Sequence, residues 1–320
     1  MERIRTSLLR DQGKNVRIRY IFIESNSAAF QELESSRANF SDLNISTWHG
    51  DFQTLIPRIV QEVSRAFSLV FIDPTGWTGF PLNDLKPLLK LRGEFIINFM
   101  FDHISRFLEH PRPEISETFD PVFGSNDWRS DLSSRIASGS SREDAILATY
   151  VDHVRTLGNV PYVTSTRIKK PLVDRSYFHL VYGTKNWKGI YEFREVERRA
   201  ADEQEQVRNA ARYKADLART GQESLWGQLQ PPGAPKSFEE EKKQNIVRAT
   251  EVLTSLLQSQ QQVPYEHALA RTMEVPLIWK ADFRAILTNL HTRKLVRTID
   301  QTGEDVSPKA GNQHRLIWSD

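Results

Sequence analysis

Between residues 16 and 100 the chain switches repeatedly between two hydrophobic periods, and that alternation restricts it to a small set of folds. VRIRYIFI (16–23) is rich in β-branched and aromatic residues and reads as a strand. Residues 26–37 suit a helix, and NISTW (44–48) is a short second strand. Residues 53–66 place Leu55, Ile59 and Val63 at helical spacing. SLVFI (68–72) is apolar without interruption, which predicts a strand in the middle of a parallel sheet with both faces covered. A short helix over 82–91, a stop at Leu91-Arg92-Gly93 and a fourth strand, EFIINFM (94–100), complete the pattern. Strands alternating with helices predict right-handed βαβ units and an α/β, Rossmann-like doubly wound sheet.

The rest of the chain adds three features. Residues 113–158 read as a helical insertion, ending in a helix over 142–157 with Asp144 in its first turn and Gly158 as its stop. Two strand-like runs, 160–168 and 176–182, lie close enough in sequence to predict an antiparallel hairpin at the sheet edge. Residues 191–220 carry interleaved charges of both signs, with Glu195 and Arg199 as an i,i+4 pair, and predict a long solvated connecting helix. A Pro-rich linker over 221–240 then separates an α/β domain (1–220) from a smaller one (241–320). That second domain shows helices at 241–258, after Pro264 and at 278–292, followed by LVRTI (295–299) and HRLIW (314–318) around a polar loop. This is the order of a winged helix.

Composition narrows the function classes. There are no cysteines, which excludes disulfides, thiolate zinc sites and cysteine nucleophiles. The net charge of +2 announces neither a nucleic-acid nor a membrane partner, so a binding surface must be a local patch. No apolar run reaches the roughly 20 residues of a membrane span, and MERIRTSLLR has no signal-like apolar stretch. A cytoplasmic protein with no membrane partner is expected. The histidines show no metal-ligand spacing, so no metal is expected either.

Three acids follow strands: Glu24 after IFI, Asp51 after the second strand, and Asp73 after LVFI. Open parallel sheets bind ligands outside the carboxyl ends of their strands. A carboxylate there can accept from both hydroxyls of a ribose, and a second acid can meet an adenine amino group. Asp73 with Pro74 can hold a group to be modified, with Trp77 as a stacking surface. Trp77 and Phe80 equally suit a hydrophobic cover for the end of the sheet. His103, after the fourth strand, is a candidate base or a capping residue. Trp128-Arg129 is a candidate lid or a packed turn. In the C-terminal domain, Lys280, Arg284, Arg293 and Lys294 face only one acid, Asp282, with His291 and Arg297 nearby. They form a modest basic surface for DNA or RNA, or for a protein partner. Trp279, Phe283, Ile286, Leu287 and Leu290 make the apolar stripe of the same helix.

FIE (22–24), HGD (49–51), FIDPTGW (71–77), EFIINF (94–99) with Arg106 downstream, FGSNDWR (123–129) and FHLVYGTKNWKGI (178–190) together resemble class I S-adenosylmethionine-dependent methyltransferases. More narrowly, they resemble the three-Cys-motif partner family (TcmP). The resemblance covers most of residues 1–220. It implies S-adenosylmethionine as cofactor, held by Glu24 and Asp51, a target site at Asp73, Pro74 and Trp77, and a three-cysteine protein as partner. It also matches Asn98 and Arg106 to family positions. Two departures stand out. Amino-methyltransferases of this kind follow the acid with two prolines, and Thr75 replaces the second. Nor does a glycine-rich turn precede Glu24, where Gly13 is the nearest glycine. A first strand and most of a cofactor loop are therefore expected to be missing, with exposed strand edges and weak or absent cofactor binding. Two readings follow: a methyltransferase, or a remnant of one, acting on nucleic acid; and a non-catalytic protein that binds a three-cysteine protein or DNA.

Overall fold

The computed structural model describes residues 17–74, 80–108, 117–173, 175–220, 238–308 and 313–319, apart from the side chains of 103, 202 and 220. The fold is mixed α/β. It divides into two compact units, the first ending at Ser64 and the second starting at Arg65.

In the first unit, β1 (Arg19–Glu24) and β2 (Asn44–His49) pair in parallel, with Glu24 opposite His49. Parallel strands need a crossover, because no tight turn can join them. Here α1 (Ser27–Arg37) supplies it, started by Asn26, whose side-chain oxygen accepts from the amides of Ala28 and Ala29. The next helix, α2 (Phe52–Val63), is capped by Asp51 and turns Ile56 and Ile59 inward. Trp48 is buried, with the Arg58 guanidinium 4.0 Å from its ring centroid.

In the second unit, β3 (Ser68–Ile72), β4 (Gly93–Phe99), β5 (Tyr162–Lys169) and β6 (Ser176–Thr184) form one mixed sheet in the order β3-β4-β6-β5. β3 and β4 are parallel, joined by α3 (Leu82–Leu89), which buries Leu82, Leu85, Leu88 and Leu89. β6 is antiparallel to both β4 and β5, so the expected hairpin is present with β5 at the outer edge. Two glycines permit this packing. A Cβ on Gly93 would lie 1.9 Å from the Ser68 carbonyl oxygen, and one on Gly183 would lie 2.0 Å from the Phe95 ring. SLVFI does form a strand, but as the end strand of this sheet and not a central one. Its uninterrupted apolar sequence is written for cover on both faces, yet Leu69 and Phe71 stay 62% and 58% exposed.

The helical stretch after β4 comprises α4 (Phe101–Phe107), α5 (Asp120–Phe123), α6 (Trp128–Ala137) and α7 (Arg142–Gly158). Ser141 caps α7 and Asn159, in the left-handed region, ends it. After β6 comes α8 (Trp187–Thr220), then α9 (Phe238–Gln260), so the last three residues of the expected linker are helical and 221–237 lie outside the described residues. The chain closes with β7 (Gln262–Pro264), α10 (Tyr265–Met273), α11 (Lys280–Thr292), β8 (Val296–Ile299) and β9 (Arg315–Trp318), whose strands pair antiparallel in the order β7-β9-β8. The sequence predicts no strand between the helix over 241–258 and Pro264; the structure carries α9 on to Gln260 and forms the three-residue strand β7 after it.

These C-terminal elements share one core with the sheet. Tyr162, Tyr182 and Ile190 pack into the same cluster as Leu253, Tyr265, Leu269, Met273, Phe283 and Leu287. The first half of α8 runs through that region, so it is not the solvated connector its charges suggest. Arg194 is fully buried, and all five of its N–H groups are engaged. Nε donates to the Met273 carbonyl at 2.7 Å. Nη1 donates to the Ser165 carbonyl at 3.1 Å and to the Glu197 carboxylate at 2.6 Å. Nη2 donates to the Glu274 carbonyl at 2.9 Å and to the Thr164 hydroxyl. The remaining Glu197 oxygen accepts from the Leu277 amide at 3.2 Å. Glu274 adds a second tie, accepting from Arg155 at 2.9 Å and from the Val163 amide at 2.8 Å. On the exposed side of α8, Glu195 pairs with Arg198 at 3.1 Å.

Candidate functional site

Glu24 and Asp51 lie at the same carboxyl end of the β1–β2 pair, as their positions after the two strands require. Each makes a local bond there. One Glu24 oxygen accepts from the Asn26 amide at 2.7 Å, and one Asp51 oxygen accepts from the Thr54 amide at 3.0 Å, capping α2. His49, between them in the register, bonds through Nε2 to the Ser25 carbonyl at 3.1 Å. Asp51 thus begins the helix after its strand and Glu24 fixes the turn before α1, and among the described residues each keeps its second carboxylate oxygen for another donor.

Asp73 belongs to the second unit, just beyond β3. Its Oδ1 accepts from Asn98 Nδ2 at 2.6 Å. Asn98 is on the neighbouring strand β4, one position past the Ile72–Ile97 pair, so the contact follows directly from the parallel register. Asn98 Oδ1 is buried and has no hydrogen-bond partner among the described residues. A carboxylate and an amide oxygen therefore stand side by side at the carboxyl end of the sheet, both acceptors. Pro74 follows Asp73 and ends the described part of the loop. Trp77 and the His103 side chain lie outside the described residues.

The Trp128-Arg129 pair is a packed turn. Trp128 is buried against Phe123 with ring centroids 4.9 Å apart, and its Nε1 donates to Asp120 at 2.8 Å. Arg129 lies over the same ring at 4.4 Å and donates to the same Asp120 oxygen at 2.5 Å. A side chain locked at both face and edge is poorly suited to moving as a lid.

In α11 the apolar stripe is buried as expected, with Phe283, Ile286, Leu287 and Leu290 facing the core. The opposite face is an open depression of about 760 Å³ lined by Ala281, Arg284, Ala285, Thr288, Asn289 and Thr292. The four basic residues divide. Arg284, Arg293 and Lys294 are exposed, whereas Lys280 is half-buried with its Nζ 5.4 Å from the Tyr191 ring centroid. Arg297 is spent on Asp305, which accepts from its Nε at 3.0 Å and from its Nη2 at 3.1 Å. The helix's one acid, Asp282, is also committed: it accepts from the Trp279 amide at 2.9 Å and pairs with Lys242 at 3.1 Å. The outer face therefore keeps its positive charge.

The described residues fit S-adenosylmethionine only in part. Glu24 and Asp51 have the donor-accepting chemistry for a ribose and an adenine, but no glycine-rich backbone cradle for the aminoacyl end precedes Glu24 among the described residues. Gly50, the one glycine at that end, would set a Cβ 3.3 Å from Leu55 and so faces a side chain. Among the described residues no group of His, Asp and Glu could hold a metal ion, and no helix is long and apolar enough to cross a membrane. No protein-family model, no curated protein and no solved structure matches the chain.

Proposed function

We propose that this chain is a methyltransferase-like protein in the pattern of the three-Cys-motif partners, and that its work is to bind nucleic acid through a C-terminal winged helix. One observation carries this reading: the outer face of α11 presents Arg284 and Asn289 and the helix ends on exposed Arg293 and Lys294, while the only acid on the helix is turned to a cap and to Lys242. Ala281 and Ala285 keep the middle of that face low, which lets a groove wall approach closely. Asn is a side chain that reads an adenine edge bidentately, and the exposed Arg and Lys cations suit phosphates. The element order α9, β7, α10, α11, β8, β9 supports the winged helix reading. Parallel β3 and β4, extended by an antiparallel hairpin, support a Rossmann-like sheet of the methyltransferase kind. A three-cysteine protein is the partner that the resemblance implies.

A second reading, the transferase itself, is favoured by the Asp73–Asn98 pair. Two adjacent acceptors can take both N–H groups of an exocyclic amine, which is what positioning such a group for modification requires. Calorimetry separates the two. The binding reading expects saturable heat from a duplex oligonucleotide and none from S-adenosylmethionine. Saturable heat from S-adenosylmethionine, with none from the duplex, would replace it with the transferase reading.

A further inference from the structure

At the carboxyl end of the β3-β4-β6-β5 sheet, one buried carboxylate is surrounded by more positive charge than it needs. Asp102, in the first turn of α4, has a side chain only 6% exposed. Arg106 reaches its Oδ2 at 2.5 Å and Lys170 reaches the same oxygen at 2.9 Å, while Arg175 reaches Oδ1 at 2.9 Å. A single cation offsets a buried carboxylate. Three leave two positive charges over among the described residues. Neighbouring acids among the described residues do not absorb the surplus: Glu143 is held by Arg167 at 3.0 Å and by His179 at 3.1 Å, Glu241 by Lys169 at 2.7 Å, and Asp144 by Arg248 at 3.1 Å. The two arginines are half exposed, at 46% and 51%, and each uses one guanidinium nitrogen on Asp102. Tyr177 adds an open aromatic face beside them, 47% exposed, with Lys170 Nζ 5.6 Å from its ring centroid.

We propose that Arg106, Lys170 and Arg175, with Tyr177 as a stacking surface, bind the phosphodiester backbone of single-stranded nucleic acid. Cations spread over α4 and the β5–β6 connection suit a track of phosphates better than one enclosed ion, and an exposed ring among them offers a base a platform. The site lies at the same end of the same sheet as Asp73 and Asn98, where open α/β sheets bind their ligands. Asp102 holds the three cations at one point on the surface, and its carboxyl stays below the usual range because Lys170, Arg175 and Arg106 together outweigh the effect of burial. This surface is separate from the α11 face in sequence and in the elements that carry it.

The test is fluorescence anisotropy with a labelled single-stranded oligonucleotide and the full chain, over a series of salt concentrations. K170E/R175E is expected to bind about tenfold or more weakly, and to lower the salt slope by about 1.4, the value for two lost phosphate contacts on a single strand. Y177A, which removes the half-exposed ring and no charge, is expected to lose about tenfold with the slope unchanged. Should reversal beside Asp102 unfold the chain, K170Q/R175Q with Y177A gives the same reading. Affinity and slope within about twofold of the parent in these variants would overturn the proposal. So would a loss that appears in R284E/R293E instead, which would move the strand to the α11 face. Inorganic phosphate competing as well as the unlabelled strand would overturn the single-strand assignment.

Discussion

Replacing Arg194 with Met tests whether the buried charge pair ties the C-terminal elements to the sheet. The change removes all five donors at once. It orphans the carbonyls of Ser165 and Met273, leaves the Glu274 carbonyl with the Thr164 hydroxyl alone, and leaves the Glu197 carboxylate, 3% exposed, with the Leu277 amide as its remaining partner. Breaking a buried pair in this way costs about 3–5 kcal/mol, because the surviving charge stays buried without compensation. With a urea slope of about 3 kcal/mol per M, a loss of about 4 kcal/mol lowers the unfolding midpoint by about 1.3 M. The double variant R194M/E197M removes the orphaned charge as well, and is expected to recover about half of the loss. The assay is urea unfolding followed by tryptophan fluorescence and by far-UV circular dichroism, with coincident transitions as the check on cooperativity. A loss below about 1 kcal/mol for R194M, or a double variant less stable than the single, would refute the reasoning.

Two other expectations concern stability. Gly93→Ala drives a Cβ to 1.9 Å from the Ser68 carbonyl oxygen and 2.7 Å from its amide nitrogen, both backbone atoms that cannot swing away. It is expected to cost about 3 kcal/mol or more by calorimetry or urea unfolding, and a neutral result would mean that β3 and β4 do not pair in this register. His267 is held below the ordinary histidine value by burial first and by Arg271 second. Its folded form therefore binds fewer protons than the unfolded chain, so its contribution to stability is full above about pH 6.5 and is lost as pH falls below that value. Urea midpoints at pH 7.5 and 5.5 should fall for the parent and fall less for H267Q, and equal falls would assign the effect elsewhere.

The strands and helices of the first hundred residues were legible because their signal is local. Alternating period, β-branched runs and a glycine stop each act within a few residues, so SLVFI was read with its observed bounds. The buried stripe of α11 was legible for the same reason. The burial of α8 was not, because its inward stripe starts with Ile190 and continues, four and then three residues later, with Arg194 and Glu197. Only their tertiary partners, a hundred or fewer residues away in the chain, distinguish that pair from surface charges, although its position on an apolar stripe is a usable sign. The acids show the converse limit. Their positions at strand ends were readable, and so was the neighbourhood of Asp73 and Asn98 once the register was known. The turn bond that Glu24 makes to the Asn26 amide and the cap that Asp51 forms were hidden in the same pattern that suggested a ribose site, since a turn and a ligand both ask for an acceptor there. The surplus of charge around Asp102 was invisible for a related reason: Arg106 is far in sequence from Lys170 and Arg175 and meets them only when β6 folds back along β4.

The most direct measurement is the salt dependence of duplex DNA affinity for the parent chain and for R284E/R293E. The account predicts a linear fall of log affinity with log salt for the parent, and a slope lower by about 1.8 in the variant, one phosphate contact for each arginine lost. A parent affinity that does not change with salt, or equal slopes for the two proteins, would contradict it.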